Sequence, residues 1–325
     1  MTVSLADIQA AAARLKGLAV ETPLIESPAL NARLGGRVLL KPETMQRAGA
    51  FKFRGAYNRL SQLTDAEKAR GVVAFSSGNH AQGVALAAQI LEIPALIVMP
   101  SDAPTVKVEA TKGFGAEIRF YDRFTEDRVA IADQIGAERG CTVVPSYDDP
   151  HIIAGQGTLG LELVAQARSL GAELDVVISP IGGGGLIAGA STAVKALSPS
   201  TQVWGAEPAG FDDTRRSLAS GQRESVDPRA RSFCDALLAD APGKLTFPIN
   251  QQTLAGAVAV TDAEVAEAMR YAFGVLKLVV EPGGCVALTA ALTGKVDLKG
   301  KTAAVVLSGG NVDPGLFASV LRDEI

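Results

Sequence analysis

The sequence predicts an α/β fold of open, twisted, mostly parallel sheets flanked by helices. Three observations lead there. Short β-branched apolar runs alternate along the chain with longer Ala-rich stretches of helical period. Several of those runs are apolar at every position, as strands covered on both faces should be. Helix starts are also marked, since Thr64-Asp65-Ala66-Glu67 and Thr261-Asp262-Ala263-Glu264 both read as capping boxes. Strands are expected at 38–40, 72–75, 95–99, 117–120, 142–144, 176–179, 202–206 and 303–307. Helices are expected at 79–91, 125–139, 157–170, 186–197 and 262–278, with an amphipathic helix over 1–16 in place of a signal peptide.

A chain of 325 residues suggests about two domains. With 47% hydrophobic and 20% charged residues it has a globular balance and no disordered tail. The net charge of −4 and the scatter of its basic residues argue against nucleic acid as a partner. No apolar run approaches the roughly 20 residues that span a bilayer, so a membrane is not expected either. Cys141, Cys234 and Cys285 lie far apart and are odd in number, which suits reduced thiols in a cytoplasmic protein better than disulfides or a metal site. His80 and His151 are the only histidines, too few for a His-rich metal centre and a poor basis for a Ser-His triad.

Chemistry enters with four local patterns. The run 175–181 is strand-like and leads into Gly182, Gly183, Gly184 and Gly185, after which a helix begins. Consecutive glycines can turn several N–H groups onto one anion, and the helix N-terminus adds partial positive charge, so a phosphate monoester is the natural guest. The loop is neither a Walker A motif nor a dinucleotide fingerprint, and tight helix-on-strand packing would also explain it. Lys52 stands between Phe51 and Phe53. Apolar surroundings would lower its pKa and make it a nucleophile, although a surface lysine covering a hydrophobic patch has the same signature. Two strands run into polar turns, Ser76-Ser77-Gly78-Asn79-His80 and Ser308-Gly309-Gly310-Asn311. Ligands collect at that end of strands in open α/β sheets, and local turn chemistry is the competing account.

In this order, 50–56, 76–80, Ala154-Gly155-Gln156-Gly157-Thr158, the glycine run and 308–311 resemble the fold-type II pyridoxal-5′-phosphate (PLP) enzymes, a tryptophan synthase β-like fold. The threonine/serine dehydratase and serine racemase branch is the most similar, and the resemblance covers essentially the whole chain. It implies that Lys52 holds PLP as a Schiff base with Phe51 beside the ring. It also implies that Asn79 binds the ring hydroxyl, that Gly182 to Gly185 cradle the phosphate, and that Ser308 faces the ring nitrogen. Glu281 would lie near the cofactor, and Ser77 would be an acid/base on the opposite face of the substrate. Glu207, the Phe211 carbonyl and Asp213 match a site for a divalent cation (Mg2+, Mn2+ or Ca2+). The resemblance also implies a homodimer, a larger domain of 1–48 plus 149–325, and a smaller one of 49–148.

The implied activity is dehydration and deamination of L-threonine or L-serine to a 2-oxo acid and ammonia. The alternatives on the same scaffold are serine racemase and 3-hydroxyaspartate ammonia-lyase. A non-catalytic phosphate- or nucleotide-binding protein is the remote one. A serine at the ring nitrogen makes a weaker electron sink than a carboxylate would, which suits elimination. Two residues depart from the pattern. Ala50 stands where many members have Ser, which weakens the transfer of a serine or threonine preference, and Ala236 stands where Gly is common. Arg47 and Arg54 are candidate cations for a second substrate carboxylate, with salt bridging as the competing role. The chain stops where biosynthetic threonine deaminases continue into a regulatory domain, which favours a catabolic form.

Overall fold

The structure, a computed structural model, describes residues 3–325 apart from Ser77, Pro104, Arg123 and the Val106 side chain. Among the described residues ten strands form two sheets. They are β1 (Ile25–Glu26), β2 (Arg37–Pro42), β3 (Val72–Phe75), β4 (Ala95–Pro100), β5 (Glu117–Tyr121), β6 (Thr142–Val143), β7 (Val176–Pro180), β8 (Gln202–Pro208), β9 (Gly256–Val260) and β10 (Thr302–Leu307). The six-stranded sheet runs β1-β2-β10-β7-β8-β9 and is parallel except for β1. The four-stranded sheet runs β5-β4-β3-β6 and is wholly parallel. Fold class and strand placement therefore agree with the sequence reading, and β1 and β9 are additions to it.

Burial explains the patterns. Val38, Leu39 and Leu40, like Ala303 to Leu307, are fully buried because helices cover both faces of their sheet. One face packs on the Pro282–Leu292 helix and the other on Leu159, Leu163, Ile187 and Val194. Both capping boxes form as expected, each Thr hydroxyl accepting from the Glu backbone N–H three residues on. The helix expected at 157–170 begins earlier, at Pro150, with Asp149 as its N-cap. Its glycines are contact points and not breaks: a Cβ on Gly157 would come within 2.9 Å of the Gly189 carbonyl oxygen on the neighbouring helix. The helix expected at 262–278 ends at Tyr271 and continues as a π turn over Ala272–Leu276. Among the described residues no helix is long and apolar enough to cross a membrane.

Candidate active site

The carboxyl ends of β3, β7 and β10 open onto one cavity of about 420 Å3. Lys52, Phe51, Asn79, Gly182 to Gly185, Glu281 and Ser308 all line it, so the structure brings these expected site residues together. Ser77 lies outside the described residues.

Lys52 opens the Lys52–Leu60 helix. The turn before it is stitched to the turn after β10: the Phe51 N–H donates to the Ser308 carbonyl (3.1 Å), the Gly310 N–H donates to the Gly49 carbonyl (2.9 Å), and Ala50 bridges Gly309. Two distant segments, one carrying the amine and one carrying Ser308, are thereby fixed as a single unit. The Lys52 Nζ donates to the Ser146 carbonyl (2.7 Å) and sits 5.2 Å from the centre of the Phe51 ring. Burial pushes its pKa down to about 8, against the opposing pull of Glu281. Phe53, its other aromatic neighbour, faces away into the hydrophobic core.

The glycine run leads from β7 into the Gly185–Leu197 helix. Gly184 has φ +92°, a backbone state that favours glycine, and a side chain there would strike Thr246 and Asn250. The loop is held from behind, where the Thr246 hydroxyl donates to the Gly183 carbonyl (2.6 Å) and the Gly243 N–H donates to the same oxygen (3.2 Å). Asp148 in turn accepts from the N–H groups of Lys244, Leu245 and Thr246. Tyr147 lies against the run, its ring 2.3 Å from where a Gly183 Cβ would sit. An amine with lowered proton affinity, facing an anion cradle across one cavity, fits a phosphorylated aldehyde.

Asn79 and Glu281 are both buried, and the Asn79 Nδ2 donates to the Glu281 carboxylate. Burial and nearby Asp235 push the Glu281 pKa up to about 7, opposed by Lys107, the Asn79 hydrogen bond and Lys52. His80 bonds the Val144 carbonyl through its Nε2 (3.0 Å), and burial reinforced by Lys52 pushes its pKa down to about 3. It is therefore neutral and not a competing base. Ser308 is buried at the rim of the same cavity.

Sequence reasoning missed four cations on the cavity wall, Arg223, Lys244, Lys107 and Arg128. Lys107 comes from the Thr105–Gly113 helix and pairs with Asp235 across the cavity at 2.6 Å. Arg128, the first residue of the Arg128–Arg139 helix, lies over Phe75 at 5.8 Å and has no carboxylate partner among the described residues. No local pattern marks either residue, since only the packing of two helices brings them to the wall. Arg47 and Arg54 are elsewhere. Arg47 donates to the Leu18 carbonyl, and Arg54 is buried between Glu43 and Glu162. Salt bridging is thus the role of Arg54, and neither arginine lines the cavity.

The third expected cluster lies one strand over. Glu207 is in β8, Phe211 in the short turn that follows, and Asp213 opens the Asp213–Ser220 helix. The Ile181 N–H donates to the Ala206 carbonyl (2.9 Å), tying the start of the glycine run to the strand that carries Glu207. Glu207 accepts from the N–H groups of Thr214 (3.1 Å) and Arg215 (2.9 Å). Burial, reinforced by Asp213, pushes Glu207 up to about 8, and burial pushes Asp213 up to about 7. The Asp213 Oδ2 is buried without a partner. Two oxygen-donor acids with an orphaned atom suit a hard divalent cation. Among the described residues no group of three or more His, Cys, Asp or Glu is placed to hold a metal ion by itself.

Fold and cavity define the class as a two-sheet α/β protein with an amine and an anion cradle facing one another where the sheets meet. The chain belongs to the pyridoxal-phosphate dependent enzyme family, which matches residues 15–309. It is 44% identical to an L-threo-3-hydroxyaspartate ammonia-lyase of Pseudomonas sp, over 97% of this chain and 98% of that one. Among solved structures it is similar to a threonine deaminase from T.th. (43% identity, TM-score 0.90, covering 95% and 99%). A maize serine racemase is also similar (36% identity, TM-score 0.93, covering 100% and 98%). The protein is therefore a PLP-dependent enzyme.

Proposed function

We propose that this enzyme eliminates water and then ammonia from a small β-hydroxy amino acid, with L-threo-3-hydroxyaspartate preferred over L-serine and L-threonine. The observation that carries the preference is Arg128, an exposed cation at the cavity wall, over Phe75, with no carboxylate partner among the described residues. A substrate with a second carboxylate supplies that partner, and serine and threonine do not. Ala50, in place of a hydroxyl that would help hold a substrate carboxylate, fits the same shift. The 44% identical relative, named for that substrate, supports it further.

In this reading Lys52 carries the cofactor through its amine, Gly182 to Gly185 hold the phosphate, and Ser308 meets the ring nitrogen. Bound PLP withdraws electrons from the substrate Cα and so acidifies its proton. Lys52 would hold the cofactor's aldehyde through its amine and, once that amine is free, would accept the substrate Cα proton as general base. The cavity is flanked by Phe51, Phe75 and Tyr147, which keep water away from the reacting carbon. Ser77 is the proposed acid/base across the substrate, and its activity would appear as racemisation. Glu207, the Phe211 carbonyl and Asp213 hold a divalent cation that neutralises two buried acids and stiffens the support of the glycine run. The same reading divides the chain into 1–48 plus 149–325 and 49–148, which agrees with the four-stranded sheet drawing all its strands from 72–143.

The test is a substrate panel on the holoenzyme and on Arg128→Met. Losing a charge-assisted contact should lower kcat/KM for hydroxyaspartate on the order of 10²-fold and leave serine within about threefold. Equal losses on both substrates would return the preference to serine or threonine.

A further inference from the structure

Asn311 closes the turn after β10, and the reading above gives it no task. Its Nδ2 donates to the Ala48 carbonyl (2.7 Å) and to the Asn79 Oδ1 (2.8 Å). The Asn79 Nδ2 then donates to Glu281. A carbonyl oxygen can only accept, so the Ala48 contact fixes which end of the Asn311 amide is NH2. The same NH2 faces Asn79, which must answer with its oxygen. Its own NH2 is thereby turned toward Glu281 and the cavity. The Ala48 carbonyl at one end and Glu281 at the other thus agree on the orientation of two side-chain amides in series.

The Ala48 carbonyl is itself aimed by unusual backbone. Ala48 has φ +55° and Gly49 φ +68°, two successive residues in the left-handed region and the first of them not glycine. A side chain on Gly49 would meet the Asn311 Oδ1 at 2.4 Å, so the turn and the amide are fitted to each other. The turn lies three residues before Lys52, which links the amide relay to the segment that carries the reactive amine.

We propose that Asn311 is a positioning residue which, through Asn79, makes a hydrogen-bond donor and not an acceptor face the ring hydroxyl of the cofactor. The inference rests on the reading of Lys52 and Asn79 given above. A donor there favours the oxygen anion of the ring and so favours proton loss from the bound cofactor. Turning the amide over reverses that effect.

Asn311→Asp offers an acceptor to Asn79 and should flip it. Asn311→Leu removes the relay but leaves Glu281 still asking Asn79 for a donor. The readout is the pH midpoint of the visible absorption band of the PLP-loaded protein. Asn311→Asp should raise it by about one pH unit, and Asn311→Leu by much less. In an Asn79→Leu background the Asn311→Asp shift should vanish, which separates orientation from the added charge. The kcat for the best substrate should fall about tenfold or more in Asn311→Asp, with KM changing less. Equal shifts in the Asp and Leu variants would mean that Asn311 only supports the fold, and would overturn the proposal. A shift that persists without Asn79 would overturn it as well. If the unaltered protein forms no visible band with PLP, or if borohydride fails to fix the cofactor on Lys52, the cofactor reading itself falls, a failure seen before any Asn311 variant is made.

Discussion

Two regions of this protein bury charge, and they do so differently. Beneath the Lys52–Leu60 helix, Arg54 is clasped by Glu43 and Glu162, while Lys41 holds Glu162 (2.7 Å), Gln166 (3.0 Å) and the Thr22 carbonyl (2.6 Å). Two cations meet two anions, and Thr22 closes the set by donating to Glu43 (2.7 Å). Burial works against Glu43, yet Arg54 holds its carboxyl below the usual range. At the end of β8, Glu207 and Asp213 have no salt-bridge partner among the described residues, and burial pushes both up, with Arg216 opposing it only in part at Asp213. Lys52 is the mirror image, an amine pushed down by burial. The contrast teaches a rule for this molecule: buried charge that is matched holds the fold, and buried charge left unmatched awaits a ligand.

Four tests at three places can break the rule. Lys52→Ala should cut turnover on the order of 10⁴-fold, about 5 kcal/mol, in steady-state assays with PLP in excess, and should spare the melting temperature. A variant that merely melts earlier would place Lys52 with the matched charges. Next comes Glu43→Gln, which strands Arg54 in the core and should destabilise the fold by about 3–5 kcal/mol in urea titration. A stable variant with lost activity would contradict the structural assignment.

The cation pocket should show a smaller effect. Saturating Mg2+ at about 100 times its Kd should stabilise by about 2.7 kcal/mol over a chelated sample. The sign of its pH dependence follows from the raised acids. At Glu207 and Asp213 the folded, metal-free protein holds protons that the unfolded chain has lost between about pH 4 and 8, so the contribution of these two groups to stability falls as pH rises through that window. A cation removes the penalty, and the Mg2+-induced rise in Tm should be larger at pH 8.5 than at pH 6. A gain that is equal at both, or larger at pH 6, would break the comparison at this site. The smallest effect is kinetic. Only the neutral Lys52 amine attacks an aldehyde, so PLP uptake by the apoprotein should quicken about tenfold per pH unit, some 1.4 kcal/mol, and level off near pH 8. A flat profile would show that Lys52 is not desolvated.

Much of this is legible in the sequence where the signal is local. The strand at 72–75 can be read at its full length because Val72-Val73-Ala74-Phe75 is apolar throughout and enters a Ser-Gly-Asn turn. β9 escapes the sequence reading because Gly256-Ala257-Val258-Ala259-Val260 holds three poor strand formers, and pairing with β8 makes it a strand. Lys52, Asn79, the glycine run and Ser308 stand out because each sits in a short pattern with its own chemistry. Arg128 and Lys107 do not, because long-range packing alone brings them to the cavity. Arg54 carries a readable warning. It lies two positions from Lys52 at the start of a helix, roughly 200° around the axis, and cannot share the lysine's direction.

The way β2 is completed bears on how the protein is made. β2 lies between the two-residue antiparallel β1 and β10, with Val38 beside Ala303 and Leu40 beside Val305. During synthesis it therefore leaves the ribosome long before its main neighbour exists, while β3 to β6 emerge together and can pair at once. The four-stranded sheet should mature on the nascent chain, and the six-stranded sheet should wait for the last strand to be translated. Until then an apolar strand edge stands open, and chaperone capture in that interval is where a slow codon or a C-terminal truncation would be felt first.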